Sequence, residues 1–388
     1  MIPTLIVKYL IRLAFLFSCV FFSVKDEKVT FASYRSTKLE GNLYYIYNEF
    51  GRMPQEFKYR FLFKKLDSSF KGKIVYFIHM LKASYHLATS RYFIIDDYYF
   101  PVYVISKPRA GTDIVQLWHA AGAFKKFGYS LLNKEYGPSE EYIKSIKVHG
   151  NYTKVYVSTN NVVPHYAEAF QMSQEKIFPL GLPRTDFFFE HKNSEKLRDR
   201  LNQRYPHVKN KKLMLYAPTF RGSGHYQDRF QGYINVPYLN EKIGVEYSLL
   251  IHLHPYMKSG MEITQENQEF ACHVDGEFTI EELLVLSDVL ITDYSSVIFD
   301  YSLLEKPMVF FAPDLEEYTK ERDFYYNYKS MIPGPLFSKT EELVEWLLNG
   351  DWDAKRVKDF KAYFFDYHDG KASERILKHL LDEHVYKE

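Results

Sequence analysis

Residues 291–328 read ITDYSSVIFDYSLLEKPMVFFAPDLEEYTKERDFYYNY, and their succession of apolar and polar runs sets the fold class. The run 288–292 reads as a buried strand that breaks into a polar turn at Asp293, Tyr294, Ser295 and Ser296. An apolar helix over 297–304 follows, then Lys306 and Pro307, a second strand over 308–312, and a loop crowded with acidic and aromatic residues. A helix N-terminus presents unpaired N–H donors and the positive end of a dipole. Hydroxyls and a carboxylate at such a junction therefore suit an anion such as phosphate. An ordinary N-cap formed by Asp293 or Ser295 would use the same residues. The rest of the chain separates these two readings.

Strands are expected at 29–33, 73–75, 92–96, 115–119 and 154–158, with helices at 42–50, 79–89, 138–146 and 163–170. Further on, strands at 213–217, 248–253, 289–292 and 308–311 alternate with helices at 279–286 and 297–304. Short apolar runs bounded by turns are what strands buried on both faces require. The chain thus reads as α/β, with two parallel, doubly wound sheets. Its 388 residues exceed what one core usually fills. The charged segment 190–212, with an amphipathic helix at 194–204, is the candidate linker. The expected division is a membrane-associating helix at 1–25, a first Rossmann-like domain at 26–190 and a second at 191–388.

A formal net charge of +1 argues against a polyanion binder, so no nucleic acid partner is expected. Cys19 and Cys272 lie too far apart in sequence for a metal spacing or a disulfide framework. Residues 13–24, LAFLFSCVFFSV, are uncharged. A helix of about twelve residues reaches roughly 18 Å, short of the roughly 30 Å hydrocarbon core. Counting from Ile2 supplies the length but obliges Lys8 and Arg12 to snorkel. A cleaved signal peptide would need an A-x-A-like site, and none follows. The favoured reading is a retained helix lying in, or shallowly inserted into, a membrane surface. A helix packed on the protein itself is the alternative.

In doubly wound sheets ligands bind beyond the carboxyl ends of the strands. Four strand ends carry suitable groups: Trp118 and His119 with the small residues Ala120, Ala121, Gly122 and Ala123; Pro218, Thr219 and Arg221; His252 and His254; and Asp293 to Ser296. A lone histidine at a strand end is usually a satisfied polar group, but four such ends together point to a site. His252 and His254 alternate in position and no carboxylate cluster accompanies them, which disfavours a metal.

The motifs WHAAGAFKKFG at 118–128, GLPRTD at 181–186, YAPTFR at 216–221 and HLHP at 252–255, with the block at 291–328, resemble those of the CDP-glycerol glycerophosphotransferase family. The resemblance covers roughly residues 28–370 with the motifs in family order. It implies a GT-B-like architecture of two Rossmann-type domains with the donor in a central cleft. It also implies a peripheral enzyme on the cytoplasmic face of the cell membrane, acting on an undecaprenyl-diphosphate-linked glycan acceptor in teichoic acid synthesis. No cofactor or metal is implied, and a homo-oligomer is compatible with the sequence.

Carried over by residue, His119 is the candidate general base and His254, with His252 near it, holds the pyrophosphate. Arg184, Pro218 and Thr219 match donor-binding positions, and Arg221 would add charge beside them. Ser295 and Ser296 would bind phosphate, and Asp300 would accept hydrogen bonds from ribose or polyol hydroxyls or from a neighbouring serine. The acceptor hydroxyl would attack the donor phosphorus nearest the polyol and expel CMP. The AAGAF at 120–124 resembles primase-type members more than the GTP of polymerases, and CDP-glycerol is the expected donor. CDP-ribitol, a capsule-type polyol phosphate, a nucleotide-sugar glycosyltransferase and a non-catalytic scaffold are the alternatives.

Overall fold

The structure is a computed structural model that describes residues 2–67, 69–132, 134, 137–221, 233–253, 257, 261–274, 276–350 and 352–385. The chain divides into two compact units, Met1–Asp186 with Phe365–Glu388, and Phe187–Phe364. In the first unit β1 (Lys25–Ser33), β2 (Lys58–Phe63), β3 (Ser90–Ile95), β4 (Asp113–Gln116), β5 (Lys154–Tyr156) and β6 (Ile177–Phe178) form a sheet ordered β2-β1-β3-β4-β5-β6. In the second, β7 (Lys212–Ala217), β8 (Tyr247–Ile251), β9 (Ala271–His273), β10 (Val289–Thr292), β11 (Met308–Phe311) and β12 (Leu336–Phe337) are ordered β12-β11-β10-β7-β8-β9. Every strand pair in both sheets is parallel.

These orders locate the sites. The first sheet reverses direction between β1 and β3, and the second between β7 and β10. Such switch points open a crevice beyond the strand carboxyl ends. Ala32 pairs with Ile95, and Ile95 with Gln116, so the chain leaves β1, β3 and β4 at one level. Thr292 pairs with Ala217, which does the same for β10 and β7.

Most expected elements stand where the apolar runs put them, and three differences have physical causes. Residues 73–75 are not a strand; they lie in helix Phe70–Thr89, begun by Ser69, whose Oγ accepts from the Gly72 N–H at 3.0 Å. Edge strand β2, KYRFLF, went unexpected because an edge strand keeps polar and exposed positions that break the apolar run. The expected 191–388 domain loses its end: residues 365–388 belong to the first unit. Helix Ala372–Val385 packs Ile376, Leu377 and Leu380 into the core built by Val29, Phe31, Leu43 and Ile94. Asp186 begins that helix from a distance, accepting from Ala372 N at 2.8 Å and Ser373 N at 2.9 Å.

The amino-terminal helix, Ile2–Phe21, is long and apolar enough to cross a membrane by length and composition. It nevertheless packs along helix Phe70–Thr89, with Ile11 and Phe15 buried. Lys8 Nζ donates to Ser145 O at 2.5 Å and Arg12 Nε to Val104 O at 2.9 Å, so both cations bind backbone of the same unit. Leu13, Phe17 and Val20 face outward.

Asp186→Ala leaves two buried N–H groups without acceptors, and a lost cap with an unsatisfied donor costs about 1–3 kcal/mol. The urea midpoint of the Asp186→Ala variant should fall accordingly, with loss of protection from amide exchange at the start of helix Ala372–Val385.

Candidate active site

At the first switch point the chain leaves β3 through Asp96 and Asp97 and leaves β4 through Leu117, Trp118 and His119. Asp97 is almost sealed from solvent, and its Oδ2 lies 3.0 Å from His119 Nδ1. Arg35, just beyond β1, donates from Nη1 to the same oxygen at 2.8 Å. Burial alone would raise the Asp97 pKa; His119 and Arg35 outweigh it and hold the carboxyl below the usual range. Asp96 behaves oppositely, pushed up to about 7 chiefly by burial. A carboxylate at Nδ1 favours the tautomer protonated there, which leaves His119 Nε2 as the basic nitrogen.

What aims His119 is a buried amide. Gln116 Nε2 donates to Asp97 O at 2.9 Å and to Tyr152 Oη at 3.0 Å, while its Oε1 accepts from Trp118 N at 2.8 Å. Trp118 has a left-handed φ of 56°, rare for a bulky side chain. Asn42 Nδ2 donates to the Trp118 carbonyl at 2.8 Å, and Asn42 Oδ1 accepts from Arg184 N at 2.9 Å. Arg184 thus belongs to the first unit, linked through Asn42 to the turn that carries His119. The small-residue loop is also fixed: Tyr166 Oη donates to Ala120 O and Gly122 O, and Gly122 N donates to Ser158 Oγ. Ala121 and Ala123 are buried, so they favour close backbone approach rather than side-chain contact.

Beneath Trp118 lies His149, 1% exposed, stacked among Trp118, Tyr98 and Phe170. Its Nδ1 is 3.1 Å from Tyr152 Oη. Burial drives its pKa down to about 3, so the ring is neutral when the protein is folded.

At the second switch point Asp293 plays a structural part. Its Oδ1 accepts from Thr219 N at 2.8 Å and Tyr294 N at 2.6 Å, and its Oδ2 lies 2.9 Å from Arg221 Nη2. Arg221 also donates through Nε and Nη2 to Asp314, at 2.5 and 3.0 Å, and sits over the rings of Tyr294 and Tyr318. Those two rings stack 3.7 Å apart. Against the expectation that Arg221 adds charge for a ligand, it is closed in by two carboxylates and two aromatic faces. Tyr328 Oη donates to Asp293 O at 3.1 Å, so residues 314–328 form a packed wall around Arg221 and Asp293.

Ser295 and Ser296 are half-buried at the start of helix Val297–Ser302, and Ser295 Oγ accepts from Val297 N at 3.4 Å. Thr219 Oγ1, just beyond the end of β7, is buried with no hydrogen-bond partner among the described residues. Pro218 is buried and His252 half-buried beyond their strands, His252 N donating to Tyr216 O at 3.0 Å. Asp300 is 2% exposed on the helix, which disfavours the expected contact with ribose. His254 lies outside the described residues. Arg35, Asp97, Gln116 and Asn42 escaped the sequence reading. The available signal was the strand-end rule applied to FIIDD at 93–97.

A family model described as CDP-Glycerol:Poly(glycerophosphate) glycerophosphotransferase matches residues 13–382. The teichoic acid ribitol-phosphate primase of Bacillus spizizenii is 43% identical over 375 residues, 96% of this chain and 95% of that protein. The teichoic acid poly(ribitol-phosphate) polymerase of the same species is 38% identical over 359 residues, covering 92% of this chain but 56% of the polymerase. The solved structure of the wall teichoic acid polymerase TagF matches with a TM-score of 0.77 at 22% identity, over 95% of this chain and 93% of that one. That likeness shows the fold, a GT-B-like pair of Rossmann-type units.

His149 gives the site a pH signature. Its folded pKa lies far below the ordinary 6.5, so below pH 6.5 only the unfolded chain takes up the proton. Its stabilising effect is intact above that pH and is lost as pH falls toward 3, at about 1.4 kcal/mol per unit. Urea midpoints measured between pH 7 and 5 should decline, and His149→Phe, which keeps the ring stack, should flatten that decline. An equal slope in both proteins would exclude His149 as its source.

Proposed function

The chain belongs to the CDP-glycerol:poly(glycerophosphate) glycerophosphotransferase family, and from that premise we propose that it transfers ribitol phosphate from CDP-ribitol to a primase-type acceptor. It is a transferase of teichoic acid synthesis. The ribitol reading is supported by the two ribitol-phosphate enzymes it resembles, and the primase reading by the higher identity to the primase, 43% against 38% to the polymerase. CDP-glycerol is the second reading, favoured by the family description, while the AAGAF motif at 120–124 bears on a primase-type acceptor.

The acceptor hydroxyl, on an undecaprenyl-diphosphate-linked glycan, attacks the donor phosphorus nearest the polyol. Its proton passes to His119 Nε2 while the bond to the CMP oxygen breaks, and CMP leaves. The observation that carries this role is the Asp97 carboxylate 3.0 Å from Nδ1, which orients the ring and stabilises it once protonated. In the second unit the diphosphate is held by Thr219 Oγ1 and the turn at Ser295 and Ser296, with His252 and His254 contributing; catalysis rests on alignment and charge stabilisation.

His119→Ala should lower CMP release by about 10²–10⁴-fold in protein that still folds, Arg35 remaining as the partner of Asp97. Full activity in that variant refutes the base assignment. Mass analysis of products from CDP-ribitol and CDP-glycerol with a lipid-disaccharide acceptor tests the donor, and a clear preference for CDP-glycerol rejects the ribitol reading.

The same reading seats the enzyme on the cytoplasmic membrane face through helix Ile2–Phe21. Support comes from its outward Leu13, Phe17 and Val20 and from exposed Phe70, Ile74 and Ile78 on the neighbouring helix. Changing Leu13, Phe17 and Val20 together to Glu spares Ile11 and Phe15 and should release the protein from anionic vesicles. Turnover on lipid-linked acceptor should then fall more than on a soluble analogue. Complete pelleting of the triple variant counts against this helix as the anchor.

A further inference from the structure

The chain has three tryptophans. Trp118 belongs to the first-unit site, whereas Trp346 and Trp352 line one cavity of about 260 Å³ in the second unit. Local sequence brings them together: helix Thr340–Asn349 ends at Gly350, whose φ of 68° reverses the chain and returns Trp352 toward the helix that carries Trp346. Lys212 opens β7, Tyr247 opens β8 and Asp288 precedes β10, so the cavity lies at the amino-terminal edge of the sheet. A strand's length, on the order of 17 Å, separates that edge from Thr219 and Asp293.

Trp346 rests on the core while Trp352 stays 37% exposed. Asp288 uses Oδ2 to accept from Leu213 N at 2.8 Å, leaving Oδ1 to accept from a ligand. Lys212 Nζ is bonded to Glu246 at 2.6 Å, so its charge is already matched. Two indole rings and a carboxylate acceptor in one lining suit a ligand with C–H faces and O–H edges better than a phosphate. The volume sits near the lower end, about 300 Å³, of small-molecule sites, which fits one ring.

We propose that this cavity is a carbohydrate subsite that takes a neutral sugar or polyol unit, separate from the reaction. That it holds part of the lipid-linked glycan acceptor rests on the proposed function; ring binding itself does not.

Ligand-observed NMR titration of the full chain with N-acetylglucosamine and with ribitol, cytidine serving as the comparison, tests it. At least one of the two should bind. Trp352→Ala should weaken that binding by about three- to tenfold, the worth of an aromatic face, while Trp352→Phe stays close to the parent. Failure of both to bind, an unchanged affinity in Trp352→Ala, or cytidine binding that is lost in that variant would each overturn the assignment. So would loss of CMP release from a short soluble acceptor in Trp352→Ala, which would put the cavity in the reaction. A parent protein that binds the sugar but releases no CMP would remove the proposed function and leave the subsite standing.

Discussion

A buried carboxylate at each switch point is the constraint on which both halves depend. Asp97 and Asp293 are 2% and 1% exposed, and each lies against an arginine that follows the first strand of its sheet, Arg35 at 2.8 Å and Arg221 at 2.9 Å. A charge so enclosed is tolerable only when paired, and removing one partner typically costs about 3–5 kcal/mol. The two units then use the pair differently. In the first, Asp97 Oδ2 also lies 3.0 Å from Nδ1 of His119, the proposed base. In the second, Arg221 turns to Asp314 and the stacked tyrosines, so the pair becomes a rigid wall beside Thr219.

That difference bears on how a diphosphate would be met in the second unit. The guanidinium of Arg221 spends its N–H groups on Asp314, Asp293 and the Thr219 carbonyl. Two carboxylates facing one guanidinium leave no net positive charge there. On the proposed function, the diphosphate would then be met by the uncharged hydroxyls of Thr219, Ser295 and Ser296 together with His252 and His254. Oriented dipoles stabilise charge developing in a transition state without holding the ground-state anion as tightly as a free guanidinium would, which favours release of a nucleotide product.

The strands and their ends were legible because parallel strands covered on both faces must be apolar throughout and must stop at a polar group. His119, Thr219 and Ser295 stood out on that basis. The partners that make His119 useful did not. Arg35, Asn42 and Gln116 act through hydrogen bonds that span 62, 76 and 19 residues of chain, and single-sequence spacing carries no trace of these pairings. Residues 314–328 look like a solvent loop by composition, yet Asp314 and Tyr318 among them close on one arginine beyond the end of β7. The return of helix Ala372–Val385 to the first core was equally hidden, since its amphipathic pattern would fit either unit.

The amino-terminal helix carries a hydropathy signal that is silent about orientation. Leaving its seat would break charge-assisted bonds from Lys8 and Arg12 to carbonyls, each worth about 1.5–3 kcal/mol. It would also expose Ile11 and Phe15, at about 1.5–3 kcal/mol apiece. Together these contacts hold the helix by roughly 6–12 kcal/mol before any reorganisation of the neighbouring helix. Inserting across a bilayer would strip all four contacts and place two cations in hydrocarbon. A helix that keeps its seat has the side of Leu13, Phe17 and Val20 to offer an apolar phase, so the proposed membrane seat would place it along an interface rather than through it.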